Sequence, residues 1–74
     1  MNKARRKELA KATSLLWEAR GIIEEVYSDE EDAKDNIPEN LHDSERYEKA
    51  EEAVYELENI VSEIEDIEAR IEEL

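Results

Sequence analysis

Apolar residues recur along this chain at alternating intervals of three and four, and the pattern is interrupted only once. In the first half Leu9, Ala12, Leu16, Ala19, Ile23, Val26, Glu30, Ala33 and Ile37 keep the alternation, with Glu30 as its one charged member. Tyr47, Ala50, Val54, Leu57, Val61, Ile64, Glu68 and Ile71 keep it through the second half, again with a single charged member, Glu68. A helix turns once in about 3.6 residues, so this spacing draws a continuous stripe down one helical face. Strand side chains alternate with a period of two and cannot produce it. With heptad positions lettered a to g and Leu9 and Tyr47 placed at a, the stripe fills a and d. Leu15 and Ile22 fall at g in the first half, and Ala53, Ile60, Ile67 and Leu74 fall at g in the second.

The interruption is Pro38, the chain's only proline. Its missing N–H and its ring end a helix, and the ring pushes Ile37 out of the helical region. The expected elements are therefore a helix over about 3–36, a corner over 37–43 and a helix over about 44–74. Pro38 to Leu41 suits one short turn with proline at a permitted first position. Asp43 or Ser44 supplies the side-chain oxygen that caps the second helix, and Glu45 favours its first turn. At ~1.5 Å per residue both helices run about 45–50 Å. Matched lengths and a short link predict one all-α domain over 1–74, an antiparallel helical hairpin of coiled-coil type.

Charge agrees with that direction. Residues 1–20 hold six basic and two acidic side chains, and residues 21–74 hold four and twenty-one. Lys3, Arg5, Arg6 and Lys7 oppose the dipole of their own helix. An antiparallel partner sets them beside Glu65, Asp66, Glu68, Glu72 and Glu73. The e positions of such a pair face each other, which places Arg20 and Lys34 opposite Glu51, Glu58, Glu65 and Glu72.

Two helices alone leave the g residues wet. Leu15, Ile22, Ile60, Ile67 and Leu74 are the expected dimer interface, because burying each one stabilises by ~1.5–3 kcal/mol. The expected assembly is a homodimer of hairpins forming a four-helix bundle. A net charge of −13 repels nucleic acid and anionic membranes, and points to a basic partner or to solubility alone. No apolar run reaches the roughly 18–20 residues of a membrane span, and MNKARRKELAK lacks the apolar stretch of a signal peptide. Cysteine is absent. A cytoplasmic, soluble protein without disulfides is expected.

Motifs for chemistry are sparse. Glu39-Asn40-Leu41-His42 has the E-x-x-H spacing of di-iron bundles, but that site needs a second motif and more inward carboxylates. His42 packing on Tyr47, or standing in water beside a helix cap, is the simpler reading. Glu48-x-x-Glu51 and Glu63-x-x-Asp66 resemble the magnesium-holding pairs of helical nucleotide pyrophosphatases, yet here they sit at b, e, c and f and diverge. Ser28-Asp29-Glu30-Glu31-Asp32 lacks the glycine and alternating ligands of a calcium loop. No catalytic residue, metal site, cofactor or small-molecule substrate is expected. Trp17 and Tyr55 both fall at b, off the stripe, and serve either as anchors for a partner or as cover for a bundle edge. Gly21, one turn from Trp17 at f, leaves room for close approach and costs ~1 kcal/mol of helix stability.

The stretch Asp35-Asn36-Ile37-Pro38-Glu39-Asn40-Leu41, followed by Ser44-Glu45-Arg46, resembles small acidic helical proteins of Firmicutes and their phages and prophages. That family shows an N-[IL]-P-E-x-L corner, a Ser-Glu-Arg helix start and often an MNKARRKEL-like beginning. The likeness covers nearly the whole chain, except that His42 stands where another polar residue such as Gln is usual. It implies a phage or mobile-element setting and no catalytic residues. The expected function is non-enzymatic protein–protein interaction, in its sharper form inhibition of a host nucleic-acid-binding or defence protein. The binding candidates are Trp17, Tyr55, Glu24, Glu25, Glu31, Asp32, Glu48, Glu52, Glu56 and Glu63, placed to occupy a groove made for phosphates. The alternative is a self-assembling helical scaffold in virion assembly.

Overall fold

The structure, a computed structural model, describes residues 1–74 and contains two long helices. Helix α1 spans Lys3–Asp35 and helix α2 spans Glu45–Glu72. Asn2 caps α1 by accepting from the Arg5 N–H at 2.8 Å, a cap that the apolar pattern does not reveal. Asn36 closes α1, its N–H returning to the Asp32 carbonyl while the Ile37 N–H returns to that of Lys34, each at 3.1 Å. Pro38 is extended, and its carbonyl accepts from the Leu41 N–H at 2.8 Å to make one tight turn over Glu39–Leu41. Of the two candidate caps for α2, Ser44 takes the position, its hydroxyl accepting from the Tyr47 N–H at 3.2 Å.

The helices pack antiparallel into a rod of 59 × 15 × 12 Å. Its radius of gyration is 17.1 Å, against about 11 Å for a compact chain of this length. Such a shape has no interior in depth. Ile37, Ala50 and Val54 are the only buried apolar residues, and Glu68 is the only buried charged one.

The seam departs from the expected a/d geometry on one side only. Helix α2 presents a and d, with Val54 and Glu68 buried at a and Ala50 at d. Helix α1 is rotated so that it presents a and e. Leu16, Ile23, Glu30 and Ile37 at a, and Thr13, Arg20, Tyr27 and Lys34 at e, are wholly or partly covered, whereas of the d residues only Ala12 is partly covered and Ala19, Val26 and Ala33 face outward. Alanine dominates d on α1 and has little surface to hide. The ring of Tyr27 and the aliphatic stem of Arg20 have more, and their polar ends find partners at the edge of the seam.

The rotation also overturns the expected e-to-e pairing. Arg20 bonds Glu68, at an a position, instead of the glutamates at e. Neither Lys34 nor any of Lys3, Arg5, Arg6 and Lys7 forms an ion pair; the other pairs, Lys11–Glu8, Arg20–Glu24 and Lys49–Glu45, lie within single helices.

Candidate interaction surfaces

At the corner, His42 is tied to its own chain by one hydrogen bond and one ring stack. Its Nε2–H donates to the Ile37 carbonyl at 3.1 Å, and its ring stacks on Tyr47 with centroids 4.1 Å apart and planes inclined by 16°. One of its two ring nitrogens is thereby spent on the backbone, and no three His, Cys, Asp or Glu side chains are grouped to hold a metal ion. His42 therefore braces the corner, tying the end of α1 to the first turn of α2.

Along the seam a polar node replaces apolar packing. Arg20 Nε donates to Glu68 Oε2 at 2.7 Å, and its terminal nitrogen donates to Glu24 Oε1 at 2.9 Å. The bonds to Glu68 and then to Glu24 hold the guanidinium proton far more tightly than usual. A buried carboxylate needs such a partner, because unpaired it would be desolvated without compensation. Nearby, Tyr27 donates its hydroxyl to Glu31 at 3.0 Å, and that bond to a carboxylate raises the phenol's pKa above its ordinary value. Glu24 and Glu31, both candidates for a partner surface, are thus already engaged inside the hairpin. Glu25, Asp32, Glu48, Glu52, Glu56 and Glu63 are exposed and without a cation. They are shared between the outer faces of α1 and α2 and do not form a single cluster.

The two b-position aromatics are exposed but separate. Trp17, 63% exposed, borders an open groove of about 510 Å³ at the end of the rod where the chain termini meet. Leu9, Thr13 and Arg6 line it from α1, and Glu68, Ile71 and Glu72 from α2. Leu74, two residues past the end of α2, lines this groove, apart from the g residues with which its position in the sequence had grouped it. Tyr55 lies on α2 beside Lys49, Glu52 and Glu56, over a shallow depression that does not reach Trp17. The sequence marked Trp17 as unusual, but the groove depends on where the chain end folds, which no periodicity encodes.

On the other long side, the rotation of α1 leaves an apolar strip uncovered. Leu15 at 65%, Ile22 at 64% and Val26 at 50% exposure follow one another along α1, and Ile67 is exposed on α2. Ile60, grouped with them in the sequence, is partly covered. Positions g of both helices flank the same side of an antiparallel seam. The groove near the corner shows this sharing directly, since Ala33 at d of α1 and Arg46 at g of α2 line it together. No helix is long and apolar enough to cross a membrane. Comparison of the chain with protein-family models, curated proteins and solved structures gave no match.

Proposed function

We propose that the chain is a non-enzymatic interaction module of phage or mobile-element origin. Its carboxylate-covered outer surface docks on a basic protein surface, that of a host nucleic-acid-binding or defence protein, and blocks it. One observation carries this reading. Of twenty-three acidic side chains, only Glu8, Glu24, Glu45 and Glu68 meet a cation of the chain itself. Like charges about one helical turn apart destabilise a helix by a few tenths of a kcal/mol per pair, so the outer faces are held at a cost that a basic partner relieves. The same field steers such a partner into contact and sets its orientation. Trp17, exposed beside its groove, adds an aromatic anchor of the kind that dominates interface energies.

The test is to recover partners from host lysate with the tagged chain and then measure the binding of each purified partner against duplex DNA and across a salt series. A basic nucleic-acid-binding protein is expected, with DNA and this chain excluding each other. Its affinity should fall steeply with salt and fall again on Trp17→Ala, Tyr55→Ala or Glu25→Gln/Asp32→Gln substitution. A partner that holds DNA and the chain together, or one indifferent to salt, refutes the reading.

A further inference from the structure

From the uncovered strip we infer that its occupant is a second copy of this chain, seated about a two-fold axis perpendicular to the rod. Helix α1 of one copy lies antiparallel on α1 of the other, and the two corners point to opposite ends. This inference stands independently of the acidic surface and its partner.

Three observations carry it. The first is area. A compact chain of 8.7 kDa exposes about 4,700 Å², whereas this one exposes 5962 Å². The excess of roughly 1,200 Å² is more than the ~800 Å² that each partner brings to a stable interface.

The second is the symmetry of the strip itself. A two-fold contact uses the same patch twice, so the patch must match its own reverse. On α1 the large side chains Leu15 and Val26 stand equally far from a point between Arg20 and Gly21, with Ala19 and Ile22 flanking that same point. Reversed on itself, the strip sets Leu15 against the partner's Val26 and Ala19 against the partner's Ile22. The Arg20–Glu68 bond sets Ile67 of α2 at about the height of that midpoint, with Ile60 about two turns nearer the corner. The exposed Ile67 therefore stands level with the centre of the strip on α1.

The third is charge, which chooses between the two ways of stacking the rods. The corner half, residues 20–68 by the Arg20–Glu68 register, carries four basic and nineteen acidic side chains, and the open half carries six and four. Corners at the same end would stack the two strongly acidic halves on each other. Corners at opposite ends put each acidic half on the less acidic one. They also bring the basic segment Arg5–Lys11 of one α1 over the acidic segment Asp29–Asp35 of the other. Helix α1 is thus complementary to itself in reverse, in charge as well as in apolar pattern.

Absence of cysteine makes the arrangement directly testable. Sedimentation of the intact chain should give twice the 8.7 kDa mass at micromolar concentration. Ile22→Glu should lower the mass to that of one chain or shift the dimer dissociation constant upward at least a hundredfold. Under oxidising conditions, chains carrying Leu15→Cys mixed with chains carrying Val26→Cys should form the mixed disulfide, and Leu15→Cys chains alone should form little. A helical monomer in the wild-type sedimentation overturns the inference. So does a series of species growing beyond the dimer, because a two-fold contact closes on itself. Preferential linkage of Leu15→Cys to Ile67→Cys between chains overturns the orientation, since it places α1 on the partner's α2.

Discussion

Replacing Gly21 by alanine should stabilise this protein. Gly21 lies near the middle of α1 at an f position, in ordinary helical backbone, and a β-carbon built there meets no atom within 4 Å. The substitution therefore adds no clash and needs no unusual φ. It removes part of the backbone freedom that the unfolded chain loses on folding, and it shields the helix backbone from water. Those effects amount to about 0.5–1 kcal/mol in a helix interior. For a domain of this size such a gain raises Tm by about 2–8 °C. Thermal and urea unfolding followed by far-ultraviolet circular dichroism measure it, with the urea slope unchanged so that the midpoint shift reports stability alone. Position f points away from the strip that carries Leu15 and Ile22, so the sedimentation behaviour should not change. An unchanged or lowered Tm refutes the reasoning, because it means that another chain closes on the outer face of α1 in solution and already fills the space beside Gly21. Stabilisation together with lost partner capture would instead assign Gly21 to the approach of that partner.

Ser44→Ala removes the hydroxyl that accepts from the Tyr47 N–H and should cost about 1 kcal/mol, with faster amide exchange in the first turn of α2; unchanged stability would mean that Asp43 takes over the cap. Arg20→Leu combined with Glu68→Leu exchanges the whole part-buried pair for apolar surface, and replacing both partners of such a pair is commonly neutral or stabilising by about 1–4 kcal/mol. Tm should therefore hold or rise while the seam loses its one polar marker of register, and broadened amide resonances should report the slippage; a clear fall in Tm would contradict this. For Tyr27 the bond to Glu31 favours the neutral phenol, so the folded pKa lies above the unfolded one. Its contribution is complete below the ordinary value near about 10 and is lost as pH rises through the higher folded value. Ultraviolet titration should show one of the three tyrosines ionising late, and Tyr27→Phe or Glu31→Gln should abolish that late component.

What the sequence discloses is what local chemistry decides. Pro38 ends α1 whatever surrounds it, Ser44 caps α2 through an atom three residues from its donor, and the three-four spacing draws a stripe on any helix. The rotation of α1 is different in kind, because it follows from comparing two faces with one another. Counted as letters, Ala19, Val26 and Ala33 look more apolar than Arg20, Tyr27 and Lys34. Counted as surface that can be covered, the longer side chains win, and the polar ends of Arg20 and Tyr27 reach Glu68 and Glu31. The same comparison explains why Glu68 sits in a stripe of apolar residues: its partner comes from the other helix, forty-eight residues away in sequence. Trp17 was conspicuous as a residue, but its groove needs the end of α2 in place.

Burial is uneven along the rod, and this gives the hairpin a direction in time. Ile37, Ala50 and Val54, three of its four buried residues, gather by the corner, where the His42–Tyr47 stack and the Ser44 cap also lie. Loops closed there are short and cost little entropy, whereas the Arg20–Glu68 contact closes a loop of forty-eight residues. The chain should nucleate at the corner and zip toward its ends, each new turn shortening the loop left for the next. Opening runs the other way, from the termini inward, so that brief excursions expose the Trp17 groove long before they reach the proline.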